Sequence, residues 1–233
     1  AEAELADEQR ATEQLDIASH ELRNSLGDLR IGLRRLERRR EQVSAVEVKL
    51  LIDGQVVQMS RLIDDLMEVS QTPSGALCLR KERIDLGVVV TNAIAVLRPD
   101  IVRRGQRLVV KRPKTTVLLD ADPARLQQVL TNLLDNAVKF TGEGGELRLT
   151  VECDSAWVTV RIADTGIGIA RRELPYVFQA FRQVNSSSPC GCAGFGIGLA
   201  VVLDVVERHG GDVAATSAGL GQGSEFTFRL PAL

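Results

Sequence analysis

Hydrophobic positions in the first seventy residues recur with a helical period. Leu15, Leu22, Leu29 and Leu36 lie seven residues apart, with Leu26 and Leu33 between them. Such a seam marks helices packed side by side. A second seam, Val48, Ile52, Met59, Leu62, Leu66 and Val69, advances in steps of three, four or seven. The charged stretch Glu37-Arg38-Arg39-Arg40-Glu41-Gln42 between the seams is the expected turn. Residues 1–72 are therefore expected to form an antiparallel two-helix hairpin. A lone hairpin buries too little apolar area to be stable. The simplest completion is a second copy of the chain, giving a four-helix bundle in a homodimer.

The pattern then changes. Thr72-Pro73-Ser74-Gly75 ends the helical period, and residues 73–78 read as a linker. Beyond it the period drops to two in places. Leu147, Leu149, Val151 and Cys153 alternate with Glu146, Arg148, Thr150 and Glu152, and Val158, Val160 and Ile162 alternate with Trp157, Thr159 and Arg161. These are two half-buried strands joined as a hairpin at Asp154-Ser155. Further strands are expected near 107–111, 116–120, 212–216 and 224–230, and helices near 88–98, 123–140 and 198–209. Asp122 before Pro123 supplies an N-cap with Pro at the first helical position. The predicted class is α+β: the helical hairpin over 1–72, then an α/β sandwich with a mixed sheet over 79–233, helices on one face.

Composition narrows the partners. With 29 Lys+Arg against 31 Asp+Glu the net charge is −2, so no global pull toward nucleic acid or anionic lipid is expected. The 44% hydrophobic and 26% charged content is that of a globular chain, and no apolar run nears the ~18 residues of a spanning helix. No membrane contact is expected from this portion, which reads as cytoplasmic, with a membrane anchor left open for a longer protein. The start at Ala1-Glu2, without Met or a signal-peptide pattern, is expected of an internal piece. Cys78, Cys153, Cys190 and Cys192 do not make a CxxC zinc pair and read as reduced thiols.

Three glycine clusters carry candidate chemistry. Asp164-Thr165-Gly166-Ile167-Gly168 follows a strand, Gly194-Phe195-Gly196-Ile197-Gly198 opens a helix, and Gly221-Gln222-Gly223 precedes the last strand. Glycines at a helix start let backbone N–H groups approach a phosphate, but turns use glycine anyway. The second cluster is neither a P-loop nor a dinucleotide fingerprint. On the helix 123–140, Asn132, Asn136 and Lys139 share one face, opposite a leucine face. Amide oxygens can ligate Mg²⁺ and a Lys can meet phosphate, although a solvated stripe would look the same.

Taken in order, these segments resemble the catalytic core of sensor histidine kinases, in the GHKL ATP-binding superfamily. Ser19-His20-Glu21-Leu22-Arg23-Asn24-Ser25-Leu26 resembles the H box, and Asn132 through Phe140 the N box. Asp164 through Ile169 resembles the G1 box, Phe178-Gln179-Ala180-Phe181 the F box, Gly194 through Leu199 the G2 box, and Gly221-Gln222-Gly223-Ser224 the last glycine box. The resemblance implies a MgATP-dependent histidine autokinase that passes its phosphoryl group to an Asp of a response regulator receiver domain. His20 is then the phosphoacceptor, Glu21 the acceptor or orienter of its ring proton, and Asn24 the residue for a phosphatase reaction. Asn136 is the implied Mg²⁺ ligand, with Asn132 and Lys139 near the phosphates. Asp164 is implied to bond the adenine amino group, with Gly166 and Gly168 allowing close approach to the base. Residues 170–193 are implied as the ATP lid, with Gly194, Gly196 and Gly198 cradling phosphate.

Elementary geometry agrees with these roles. His20 is about 200° around the helix from Leu22, facing away from the leucine seam, and an unperturbed imidazole is mostly neutral at pH 7. Relatives with water-activating ATPase chemistry carry Glu where this chain has Asn132. Departures from the family pattern are Ser25 in place of the usual Pro, Gln183 where a basic residue is common, and the lid stretch Ser186 to Cys192. Without Pro the helix after His20 runs straighter. The alternative reading is a degenerate kinase serving as a dimeric module that binds a regulator or nucleotide.

Overall fold

The computed structural model describes residues 79–180 and 196–233. The expected hairpin, the linker, His20, Glu21, Asn24 and Gly194 lie outside the described residues. Those described belong to one compact unit, Cys78–Leu233. Its elements are β1 (Glu82–Asp85), α1 (Leu86–Arg103), β2 (Arg107–Lys111), β3 (Leu118–Ala121), α2 (Pro123–Phe140), β4 (Glu146–Cys153), β5 (Trp157–Asp164), a short 3₁₀ turn (Leu174–Tyr176), α3 (Gly198–Arg208), β6 (Asp212–Thr216) and β7 (Ser224–Pro231). The main sheet runs β2-β4-β5-β7-β6; β2 pairs parallel with β4 and the other neighbours are antiparallel. The mixed sheet is thus observed. β1 and β3 form a separate two-stranded sheet that the alternation pattern does not predict. Only Ile84 of β1's four residues is buried, too little to leave a period.

Alternation puts the core on one face of the sheet. Leu147, Leu149 and Val151 of β4, Val158, Val160 and Ile162 of β5, and Phe226, Phe228 and Leu230 of β7 are all buried. The hairpin turn spans three residues, held by the Asp154 carboxylate accepting from the N–H groups of Ala156 and Trp157, both at 2.8 Å. Cys153 is exposed at the frayed end of its row.

The helices bury matching stripes. On α2 these are Leu126, Val129, Leu130, Leu133, Leu134, Ala137 and Val138, the i, i+3, i+4 pattern of a core-facing helix. On α1 the stripe Leu86, Val89, Val90, Ala93, Leu97 and Ile101 carries the helix through Pro99 to Arg103, past the boundary expected at 98. Pro99 forfeits one backbone hydrogen bond, but Ile101, one turn beyond Leu97, is buried, so packing maintains the helix. α3 is rich in β-branched residues, and Val201, Val202, Val205 and Val206 hold it in the core. It ends in a Schellman motif: Gly210, at φ +80°, donates to the Glu207 carbonyl and Gly211 to that of Val206. Among the described residues no helix is long and apolar enough to cross a membrane.

One buried polar contact joins the two helices end to end. Asp122 caps α2 by accepting from the N–H groups of Ala124 and Arg125, and its second oxygen accepts from the N–H of Arg80. The N–H of Asp122 itself donates to His209 Nε2 at 3.0 Å, while His209 Nδ1 bonds the Val205 carbonyl at 2.7 Å. An Nε2 that accepts from an amide carries no proton, so the ring is neutral with its proton on Nδ1. Burial lowers the His209 pKa below the ordinary value, aided by the Lys81 charge, against the opposing pulls of the Val205 carbonyl, Asp122 and Asp120. Burial works to raise the Asp122 carboxyl, but the N–H groups of Arg80, Arg125 and Ala124 outweigh it and leave the pKa below the usual range.

The sign of the pH dependence follows. An unfolded His209 takes a proton near pH ~6.5, whereas the folded ring resists it. Its contribution is fully present above about pH 6.5 and is lost as pH falls toward the depressed folded value. Asp122 adds a second, more acidic window, starting below about pH 4. Thermal melts between pH 7 and 5 should show the wild type losing stability more steeply than His209→Gln. Parallel curves would sink the assignment.

Candidate functional site

Asp164 is where the alternation of β5 ends in a charge. Val158, Val160 and Ile162 face the helices, and Asp164 is the fourth residue of that row, paired across the ladder with Ser224 of β7 and Leu147 of β4. The carboxylate is about nine-tenths buried. Its Oδ1 accepts from the Gly166 N–H at 2.7 Å and its Oδ2 from the Ser224 hydroxyl at 2.5 Å. A carboxylate has about four lone-pair sites, so capacity remains for a further donor. Buried acceptor capacity of this kind recognises an N–H-bearing ring edge and rejects a carbonyl.

The glycines on either side are demanded by the protein's own packing. Ile167 donates to the Phe140 carbonyl at the end of α2, Gly223 to that of Gly166, and Gly221 to that of Ile167. A Cβ on Gly166 would lie 2.2 Å from the Phe140 oxygen, one on Gly168 2.0 Å from the Gly219 oxygen, and one on Gly223 2.0 Å from the Asp164 oxygen. Gly168 and Gly223 also sit at φ +68° and +70°. The first and third glycine clusters thus form one interlocked pair of loops around the Asp164 backbone, an association that sequence spacing does not reveal.

The polar stripe of α2 leads away from this carboxylate. Asn132, Asn136 and Lys139 are all half-buried rather than freely solvated. Asn132 Nδ2 donates to the Gly198 carbonyl at the start of α3, at 3.2 Å. Lys139 Nζ is paired with Asp135 at 2.6 Å, one turn back on the same helix. Eight residues separate Asn132 from Phe140, about 12 Å of helix. One face of α2 therefore runs from the α3 N-terminus, with Gly196 at φ +71° just before it, to the loops that hold Asp164. Phe178 packs edge-on against Phe226 of β7, centroids 6.3 Å apart at 89°, anchoring the chain that leads toward residue 181. Phe181, Cys190 and Cys192 lie outside the described residues.

Among the described residues no group of three His, Cys, Asp or Glu could hold a metal by itself. Asn136 offers a single neutral amide oxygen. That chemistry fits a Mg²⁺ which keeps its waters and is bound mainly through phosphate oxygens. Contacts missed by sequence reasoning include Gln106, whose amide donates to the Val138 and Thr141 carbonyls at the end of α2, and Ser217, which braces the glycine loops. Their partners lie 32, 35 and 6 residues away, and only the last leaves a local signal, a Ser before a Gly-rich turn.

Comparison with known proteins bears on the family and the fold. The family of histidine kinase-, DNA gyrase B-, and HSP90-like ATPases matches residues 121–233. The sensor histidine kinase RcsC of Salmonella typhimurium is 33% identical over 219 residues, covering 93% of this chain and 23% of that protein. The chain thus spans about a quarter of that relative's length. Full-length ShkA, solved in complex with AMPPNP, is 31% identical with a TM-score of 0.66, covering 94% of this chain and 46% of the other. The histidine kinase ThkA, solved in complex with the response regulator protein TrrA, is 19% identical; its TM-score of 0.71, over 99% of this chain and 66% of the other, is a likeness of fold. Residues 121–233 belong to the histidine kinase-, DNA gyrase B-, and HSP90-like ATPase family, and over most of its length the chain is similar to sensor histidine kinases.

Proposed function

We propose that this chain binds MgATP along the polar face of α2, phosphorylates His20, and transfers the phosphoryl group to an Asp of a response regulator receiver domain. The observation that carries the reading is the α2 stripe itself. It joins a glycine-opened helix N-terminus, suited to phosphate, to a buried carboxylate suited to an adenine amino group. In this reading Asp164 accepts from the adenine amino group, and Gly166 and Gly168 keep the loop beneath the base. Asn132 and Lys139 lie near the phosphates, with Gly194, Gly196 and Gly198 at the phosphate end. Lys139 is held by Asp135 and would exchange that carboxylate for a phosphate oxygen.

The reaction needs positioning more than covalent help from the protein. A neutral ring nitrogen of His20 attacks the γ-phosphorus, the bond to the bridging oxygen breaks, and ADP leaves. Glu21 takes or orients the proton on the ring. Mg²⁺, held through Asn136 and the phosphates, would neutralise charge that develops on the leaving oxygens. A homodimer supplies the second hairpin that the helical seam calls for. Asn24, one turn beyond His20, would serve the reverse duty of dephosphorylating the regulator. That ShkA was solved with AMPPNP and ThkA with a response regulator supports both ligand classes.

Incubation with γ-labelled ATP and Mg²⁺ should give acid-labile, base-stable label that is absent from His20→Gln. Nucleotide binding without any label would favour the degenerate, dimeric binding module instead. Asn136→Ala should lower labelling by at least about a hundredfold, as expected when charge neutralisation at the phosphates is lost, with the fold intact by circular dichroism. Unchanged labelling would remove Asn136 from the metal.

A further inference from the structure

We propose that Ser217 is a positioning residue for the Asp164 carboxylate, and so a determinant of base recognition that does not itself touch the nucleotide. The proposal rests on the reading of Asp164 as the adenine-recognising group.

Ser217 follows the end of β6 and is half-buried. Its hydroxyl has one proton, donated to the Gly223 carbonyl at 2.6 Å. The same oxygen accepts from the Ile169 N–H at 3.0 Å and the Gly219 N–H at 3.2 Å. One donor and two acceptor sites are the full capacity of a hydroxyl, and all are used. These three bonds join the two loops that hold the carboxylate. Ile169 closes the segment carrying the Gly166 N–H, which donates to Asp164 Oδ1. Gly223 precedes Ser224, whose hydroxyl donates to Oδ2.

Beside Ser217, the loop from Ser217 to Ser224 is tied by backbone bonds from Gly221 to Ile167 and from Gly223 to Gly166, and no side chain between Ser217 and Ser224 is buried. Gly219, Gly221 and Gly223 all take positive φ, at +132°, +76° and +70°, and glycine is the residue with most backbone freedom to lose. Leu220 is 64% exposed and contributes no core packing. A saturated hydroxyl at the loop's base therefore adds to the β5–β7 pairing of Ser224 with Asp164 in setting where the Ser224 hydroxyl stands. Without it, the Ile169 and Gly219 N–H groups and the Gly223 carbonyl lose a partner at once. The carboxylate would stay buried, but its two donors would be less firmly placed.

The test measures affinity for AMPPNP and for its guanine counterpart, with Mg²⁺, on the whole chain by calorimetry well below each variant's melting temperature. Ser217→Ala should weaken AMPPNP about tenfold, the equivalent of one lost hydrogen-bond network member, and narrow the adenine-over-guanine preference by a similar factor. Ser217→Thr, which keeps the hydroxyl, should stay within about threefold of wild type. A Ser217→Ala protein that melts lower but retains both affinities would overturn the proposal, since the residue would then serve the fold alone. Asp164→Asn provides the separate control: if it binds AMPPNP as tightly as wild type, the base is not read at Asp164 and the underlying assignment fails.

Discussion

The site depends on backbone lying against backbone at the end of β5. The Asp164 carbonyl meets the α-carbon side of Gly223 so closely that a Cβ would sit 2.0 Å away. The same intolerance recurs at Gly166 against α2 and at Gly168 against Gly219. Such distances are available only to glycine, and two of the three also need a left-handed φ. The consequence reaches beyond local packing. Because the loops interlock, the N–H of Gly166 and the hydroxyl of Ser224 arrive on opposite oxygens of one buried carboxylate. A buried charge is tolerable only when hydrogen-bonded, and here both donors come from the segments that the glycines allow to meet. Loop closure and the placing of both donors on Asp164 are thus one event.

A second constraint works at the other side of the unit. The Asp122 N–H at the start of α2 donates to the His209 ring at the end of α3, across 87 residues of sequence. α2 begins where α3 finishes, so the two helices cannot slide independently. That matters because the opposite end of α3 meets α2 again through Asn132 and Gly198. With both ends of α3 tied to one helix, the glycine turn before it is presented on a fixed base. Arg80 joins the same cap through its N–H, so the first described residues of the chain are fixed to α2 as well.

Legibility followed the range of the interactions. α2 was readable to the residue because its cap, its Pro and its apolar stripe are all local. The β4–β5 hairpin was readable because alternation is a period-two signal that burial on one face enforces. β1 was not, since a four-residue strand with one buried side chain has no period to detect. α1 ran past Pro99 because Ile101 packs, a tertiary fact that overrides the local signal. In the site, Asp164 and the glycines were found through their resemblance to family motifs. Their mutual contacts were not, and neither were Ser217, Gln106 nor the neutral tautomer of His209. Each of those depends on a partner that only folding brings near.

Asn132 shows how a single residue type can direct the fate of a nucleotide. Where superfamily ATPases carry a Glu, its carboxylate can take a proton from water at neutral pH. An amide cannot: its oxygen accepts hydrogen bonds but does not hold a proton, and its nitrogen only donates. In this chain that nitrogen donates to Gly198, so the amide acts as a strut between α2 and α3. The amide supplies no base and makes a contact that sets the start of α3. Under the proposed reading, water near the γ-phosphate then has no group to activate it, and the barrier to hydrolysis stays high. A nucleophile that brings its own base, as proposed for His20 with Glu21, would not meet that barrier. In that reading ATP stays intact until an imidazole is presented.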